Sequence, residues 1–131
     1  MAQKYIAGDI VEYDNKVMAI KEPRDGSHFD LYCPKEGLVY CFVGVEDIAP
    51  IPITPEILKK NGWKKEMYHD WRHYIPLERT LLYLSRCGDR DRDDAFNVWV
   101  GLSMSYIAGV SFVHQLQHIF FGLGLNSEME V

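Results

Sequence analysis

Val110-Ser111-Phe112-Val113-His114-Gln115-Leu116-Gln117-His118-Ile119-Phe120-Phe121-Gly122-Leu123 is the stretch on which the reading of the fold turns. Phe112, Val113, Leu116, Ile119, Phe120 and Leu123 recur at i, i+1, i+4, i+7, i+8 and i+11, one apolar stripe of an α-helix. The spacing predicts a helix over 111–123 with Ser111 as its N-cap. A helix with one apolar face needs a sheet to cover, and the segments before it supply one. Thr80–Ser85 and Ala95–Leu102 place Leu82, Leu84 and Phe96, Val98, Val100 at period two, and Met67–Ile75 precedes them as a further strand. The helix is therefore expected to pack on this C-terminal antiparallel sheet, with Arg86–Asp94 as the hairpin loop. The polar residues 126–131, beyond the apolar pattern, are expected to be dispensable for folding.

Upstream, Asp9–Tyr13, Lys16–Lys21, Phe29–Tyr32 and Gly37–Val43 are short, rich in β-branched and aromatic residues, and separated by turn formers. Asp14-Asn15 makes a tight hairpin turn and Pro23–His28 a longer loop. These strands suggest a curled antiparallel sheet or small barrel of the SH3-like kind. Between the two halves, Thr54-Pro55-Glu56 combines an N-cap hydroxyl, a proline at the first helical position and an acid at the positive end of the helix dipole. Gly62 stops that helix in a left-handed conformation. The expected fold class is α+β: a β-rich lobe over 1–53, then a lobe over 54–131 with a short helix at 54–62, antiparallel strands and the C-terminal helix at about 111–123. The two lobes are expected to form one compact unit.

The C-terminal stretch resembles the Val-His-Gln-Leu-Gln-Asn-Leu-Tyr-Phe-Ala-Leu tail of a family of small uncharacterised proteins from gut Bacteroides and their phages and mobile elements. Glu46–Trp63, containing Pro50-Ile51-Pro52-Ile53-Thr54 and ending in Gly62-Trp63, is similar to that family's "acidic, Ile, Pro-Ile-Pro-Leu-Thr, short helix, Gly-Phe" segment. Gly8-Asp9-Ile10-Val11 is similar to its Gly-Asn-Tyr-Val start. His118 stands where the family has Asn, and Phe121-Gly122 where it has Phe-Ala. The resemblance implies a phage or mobile-element accessory protein and carries no established activity.

The 131 residues are 47% hydrophobic and 25% charged, with a formal net charge of −5. That balance fits an ordinary globular chain and argues against strong non-specific binding to nucleic acid, which draws its affinity from clustered Lys and Arg. No apolar run reaches the roughly 20 residues that span a bilayer, and Met1–Tyr5 lacks a signal-peptide core, so a cytoplasmic protein without membrane partners is expected. Cys33, Cys41 and Cys87 are an odd count without a Cys-x-x-Cys pair, which favours reduced thiols acting as small buried apolar residues. Arg86–Asp94 alternates sign and reads as a solvated loop.

For chemistry, the sequence offers no Gly-x-Ser-x-Gly nucleophile, phosphate loop or calcium loop, and catalytic residues are not assigned. The expectation is a non-catalytic interaction protein without a cofactor, whose partner is a protein or nucleoprotein complex. Two polar groups are candidates for binding. His114, Gln115, Gln117 and His118 interrupt an apolar helix, where buried amides and imidazoles either bond the backbone or present a recognition surface. Tyr68, Trp71, Arg72 and Tyr74 form an aromatic and cationic run, of which some members resist burial together. The alternative is a metal-binding protein or small metal-dependent enzyme using His69, His73, His114 and His118, two pairs at i, i+4.

Overall fold

The computed structural model describes residues 5–65, 72–77, 80–86, 96–101 and 105–131. The fold class is α+β, and the described residues form two five-stranded antiparallel sheets and two α-helices. The chain divides into two compact units, one comprising Met1–Ile51 and Phe112–Met129, the other chiefly Pro52–Ser111.

In the first unit, β1 (Ile10–Tyr13), β2 (Lys16–Pro23), β3 (His28–Cys33) and β4 (Leu38–Gly44) form a meander, and β5 (Ala49–Pro50) returns beside β1 after a 3-10 turn at Val45–Asp47. The order β4-β3-β2-β1-β5 leaves the sheet open, with β4 and β5 as its two edges. Asp14 and Asn15 have φ of 52° and 59°, the left-handed pair that lets a two-residue turn follow the twist of its strands. Alternation then sends Val11, Met18, Ile20, Phe29, Leu31, Cys33 and Val43 into one core with Tyr5 and Ile48.

The second unit holds α1 (Pro55–Lys60) and the sheet β10-β9-β8-β7-β6, made of β6 (Lys64–Lys65), β7 (Arg72–Pro76), β8 (Leu81–Arg86), β9 (Phe96–Val100) and β10 (Ser105–Val110). Thr54 Oγ1 caps α1 by accepting from Ile57 N at 3.2 Å. At the other end Gly62, at φ 86°, donates to Lys59 O while Trp63 N reaches Leu58 O, so the last carbonyls of the helix are satisfied. Leu82, Leu84, Phe96 and Val98 are buried at the predicted period of two. Residues 67–71 of the expected Met67–Ile75 strand, and 87–94 of the charged loop, lie outside the described residues. Strand β10 had no counterpart in the sequence reading.

The C-terminal helix, α2 (Val113–Gly122), belongs to the first unit rather than to the sheet that precedes it. It packs against β1 and bonds Gly8 and Ile10. The reason lies in which face is buried: Val113, His114, Leu116, Gln117 and Phe120 turn inward, while Leu123 is exposed. The buried stripe thus contains two polar residues: Gln117 bonds backbone groups of Gly8 and Ile10, and His114 lies against the Tyr5 ring. Its N-cap is Phe112, whose N–H donates to Gln115 Oε1 at 3.1 Å, one residue later than expected. The tail after α2 is also part of the structure. Gly124, at φ 73°, donates to Phe121 O, Leu125 N to Phe120 O, Met129 is buried, and Glu130 exchanges two 2.8 Å bonds with Asn61. Residues 126–131 are therefore not a loose polar end.

Candidate functional site

Two places in the first unit concentrate chemistry. The first lies under α2. Asp9, 2% exposed, accepts from Ile6 N at 2.9 Å and lies 2.8 and 3.0 Å from His118 Nε2. Gln117 Oε1 accepts from Ile10 N at 2.8 Å, and its Nε2 donates to Gly8 O and Ser127 O, both at 3.0 Å. One amide thereby fastens the helix to the backbone before β1 and to the C-terminal tail. His114 is buried between Tyr5, with ring centroids 5.0 Å apart, and Phe112, at 6.0 Å.

Burial dominates the electrostatics here. It raises the Asp9 carboxyl above its ordinary range against the opposing hydrogen bonds from Ile6 and His118. It lowers the His114 imidazole to about 4, with the nearby His118 adding to the effect, and lifts the Tyr5 hydroxyl to about 12, helped by Asp9. His114 and Tyr5 are thus neutral at ordinary pH, and neither His114 Nδ1 nor Tyr5 Oη has a hydrogen-bond partner among the described residues. Gln117 and the Asp9–His118 pair thus anchor the helix, and the two neutral, enclosed groups pack beside them.

The second place is the outer edge of the same sheet. β4 is an edge strand without a single charged residue, and Leu38, Val39, Cys41 and Phe42 on it are exposed, as is Tyr32 opposite Val39 on β3. Phe42 is 58% exposed and adopts φ 56°, a left-handed conformation that costs a residue with a Cβ about 1–2 kcal/mol. It sits in a bulge where β4 carries an extra residue between Tyr40 and Val43. Two neighbours hold it there. Its N–H donates to the buried Asp30 Oδ1 at 2.9 Å, which together with Arg24 Nε at 2.7 Å holds that carboxyl below its usual range. Its ring stacks on His28 with centroids 4.0 Å apart and planes 1° from parallel. His28 is steadied in turn by Asp25, whose carboxylate lies 3.0 Å from Nδ1 and accepts from Ser27 N at 2.8 Å, drawing the Asp25 pKa to about 2.

Of the residues nominated from sequence, His114, Gln117 and His118 come together under α2, and Gln115 bonds the start of that helix. Arg72 and Tyr74 lie on β7, where the Arg72 guanidinium sits 4.9 Å from the centre of the Tyr83 ring and Tyr74 neighbours the same ring at 6.4 Å. Tyr68, His69 and Trp71 lie outside the described residues. His73 is buried on β7, and burial lowers its pKa. Among the described residues no three His, Cys, Asp or Glu side chains converge as a metal site, and no helix is long and apolar enough to cross a membrane. Cys33 is a buried free thiol as expected, but Cys41, at the bulge of β4, is exposed. The β4 surface escaped the sequence reading. Gly37–Val43 reads as an ordinary apolar strand, and its place at the edge depends on pairing that no local pattern records.

No protein-family model, curated protein or solved structure matches the chain.

Proposed function

We propose that this chain is a non-catalytic interaction protein that docks a protein or nucleoprotein complex through the β3–β4 surface around Phe42. One observation carries the reading: an exposed aromatic ring is kept in a strained backbone conformation by a buried carboxylate and a stacked imidazole. Strain of this kind persists where surrounding structure imposes it, and it clusters at ligand clamps. Exposed aromatics on a rigid strand are also the residues that supply most binding energy at protein interfaces. By resemblance the chain is read as an accessory protein of phage or mobile-element origin. The polar residues of α2, first candidates for recognition, serve in this account to hold the helix in place.

The experiment is affinity capture from the cells that make the protein, comparing wild type with Val39→Lys and with Phe42→Lys. Both positions are exposed, so both variants are expected to stay folded and to lose the retained partner. Retention unchanged in both would remove the β3–β4 surface from consideration.

A further inference from the structure

We propose that one face of the second sheet is a stacking platform for single-stranded nucleic acid. The proposal goes beyond the docking of a partner on β3–β4 and stands on different residues.

Strand register sets four aromatic rings in one row across the sheet. Tyr106 of β10 stands opposite Trp99 of β9, Trp99 opposite Tyr83 of β8, Tyr83 opposite Tyr74 of β7, and Tyr74 opposite Lys64 of β6. The positions between them in the chain point to the opposite face, where Leu82, Leu84 and Val98 are fully buried. The sheet thus sorts its side chains, with its apolar core on one face and the row of rings on the other. Core packing accounts for the first face and not for the second, since the face of an antiparallel sheet turned from its core is ordinarily polar.

The row is held in place. Trp99 meets Tyr106 with ring centroids 5.1 Å apart, and its Nε1 donates to Ser85 Oγ at 3.0 Å, which fixes the indole. Tyr83 is buried, with the Arg72 guanidinium 4.9 Å from its ring centre, and Tyr74 lies beyond it at 6.4 Å. Tyr106 is 57% exposed, while Trp99 and Tyr74 are half-buried. The face therefore presents two aromatic patches, Trp99 with Tyr106 and then Tyr74, and a guanidinium between them. Bases stack on aromatic rings and on guanidinium planes alike. Asn97, two residues before Trp99 and on its face, brings a carboxamide that can both donate to and accept from a base edge. Gly109 opposite it leaves the flank of Tyr106 open, because a Cβ there would lie 3.6 Å from the Tyr106 hydroxyl.

Charge selects the occupant. The five strands of this sheet contain no Asp or Glu, and the two charged residues that register places on the ring-bearing face, Lys64 and Arg72, are both cations. In a chain of net charge −5 this face is a local exception. Rings flanked by cations suit a ligand whose flat faces are joined by an anionic backbone. A neutral sugar gives the cations nothing to neutralise, and a double helix keeps its base faces stacked inside, away from the rings.

The test is fluorescence anisotropy of the full chain with labelled oligothymidylate and oligouridylate, against the thymidylate strand paired with oligoadenylate. Both single strands are expected to bind and the duplex to bind at least tenfold more weakly. The logarithm of affinity should fall with the logarithm of salt no more steeply than about −1.4, the slope for two phosphate contacts on a single strand. Tyr106→Ala, a change at an exposed ring, should melt as wild type and weaken binding about tenfold or more, the scale of one lost stacking partner. Lys64→Glu should weaken it as well and flatten the salt slope. Binding should quench tryptophan emission, and Trp99→Phe should remove most of that quenching although the other two tryptophans remain. Val39→Ser, on β4, should bind as wild type, and a loss there would move the strand to β3–β4 and overturn the assignment. No binding of either single strand at low salt overturns the proposal, as does a duplex bound equally well, which would mean plain charge attraction. Tyr106→Ala and Lys64→Glu that both bind as wild type would overturn it too. Capture of a neutral cello-oligosaccharide in place of the oligonucleotides, lost in Tyr106→Ala, would make the face a sugar platform instead.

Discussion

His118 Nε2 lies within 3.0 Å of both carboxylate oxygens of Asp9, a residue 109 positions earlier in the chain. This contact, with the Gln117 amide beside it, makes the C-terminal helix part of the N-terminal lobe. It joins the two ends of the sequence into one folding unit. Loss of helix anchoring should therefore be felt at β1.

The buried imidazole of His114 predicts an acid-side weakness. Its pKa is near 4 in the folded protein against about 6.5 unfolded, so below pH 6.5 the unfolded chain binds the proton more readily. Stability present above that range is lost as pH falls from 6.5 through 4, by up to about 3 kcal/mol. Asp9 acts with the opposite sign. Its raised pKa gives stability at low pH that declines as pH rises through the folded value. Urea midpoints measured across this range should fall toward acid in wild type, and His114→Phe should flatten the fall. A slope unchanged in the variant would assign the effect elsewhere.

The two glutamines of α2 should differ sharply. Gln117→Leu strips partners from Ile10 N–H, Gly8 C=O and Ser127 C=O and should cost about 2–4 kcal/mol, since buried groups left unsatisfied lose their full solvation. Gln115→Ala removes the side-chain acceptor of Phe112 N–H at the helix start and should cost about 1 kcal/mol. Thermal melts of the two variants give the comparison. Similar losses would mean that Gln117 does not fasten the helix.

Ending the chain at Asn126 removes the Ser127 acceptor, the buried Met129 and the Glu130–Asn61 pair. It should destabilise the protein by about 2–4 kcal/mol, the scale of a lost buried side chain with its hydrogen bonds. Amide exchange at Ile10 should rise in the shortened protein, because the Gln117 amide that covers it loses one of its supports. An unchanged melt and unchanged Ile10 protection would return the tail to the status of a loose end.

Phe42→Gly sets stability against function. Glycine adopts φ 56° without steric cost, so the variant should melt at the same temperature or higher, by as much as about 1 kcal/mol, while partner capture is lost. Differential scanning calorimetry beside the capture assay reads both. A clear drop in stability would mean that the Phe42 ring is needed for folding and that its strain has no functional meaning.

Local chemistry made much of this architecture legible. The left-handed Asp14–Asn15 turn, the Thr54 cap, the Gly62 stop and the alternation of Leu82 with Leu84 each act over a few residues. Their signals sit in neighbouring letters. The periodicity of α2 likewise announces a helix, but it ranks apolar positions and cannot say which sheet they meet. His114 and Gln117 faced inward because their partners, Tyr5, Gly8 and Ile10, lie at the other end of the chain. The strain at Phe42 was equally hidden. It depends on Asp30, a polar residue inside a strand, whose burial only the folded sheet reveals.

The central claim is that contact with partners runs through β3–β4 and not through the signature helix. Site-specific photo-crosslinking in the producing cell separates the two, with the reactive group placed in turn at Val39, at Phe42 and at Phe121, all exposed. The account predicts covalent adducts from Val39 and Phe42 and none from Phe121. Adducts from Phe121 alone would contradict it and make the outer face of α2 the recognition surface.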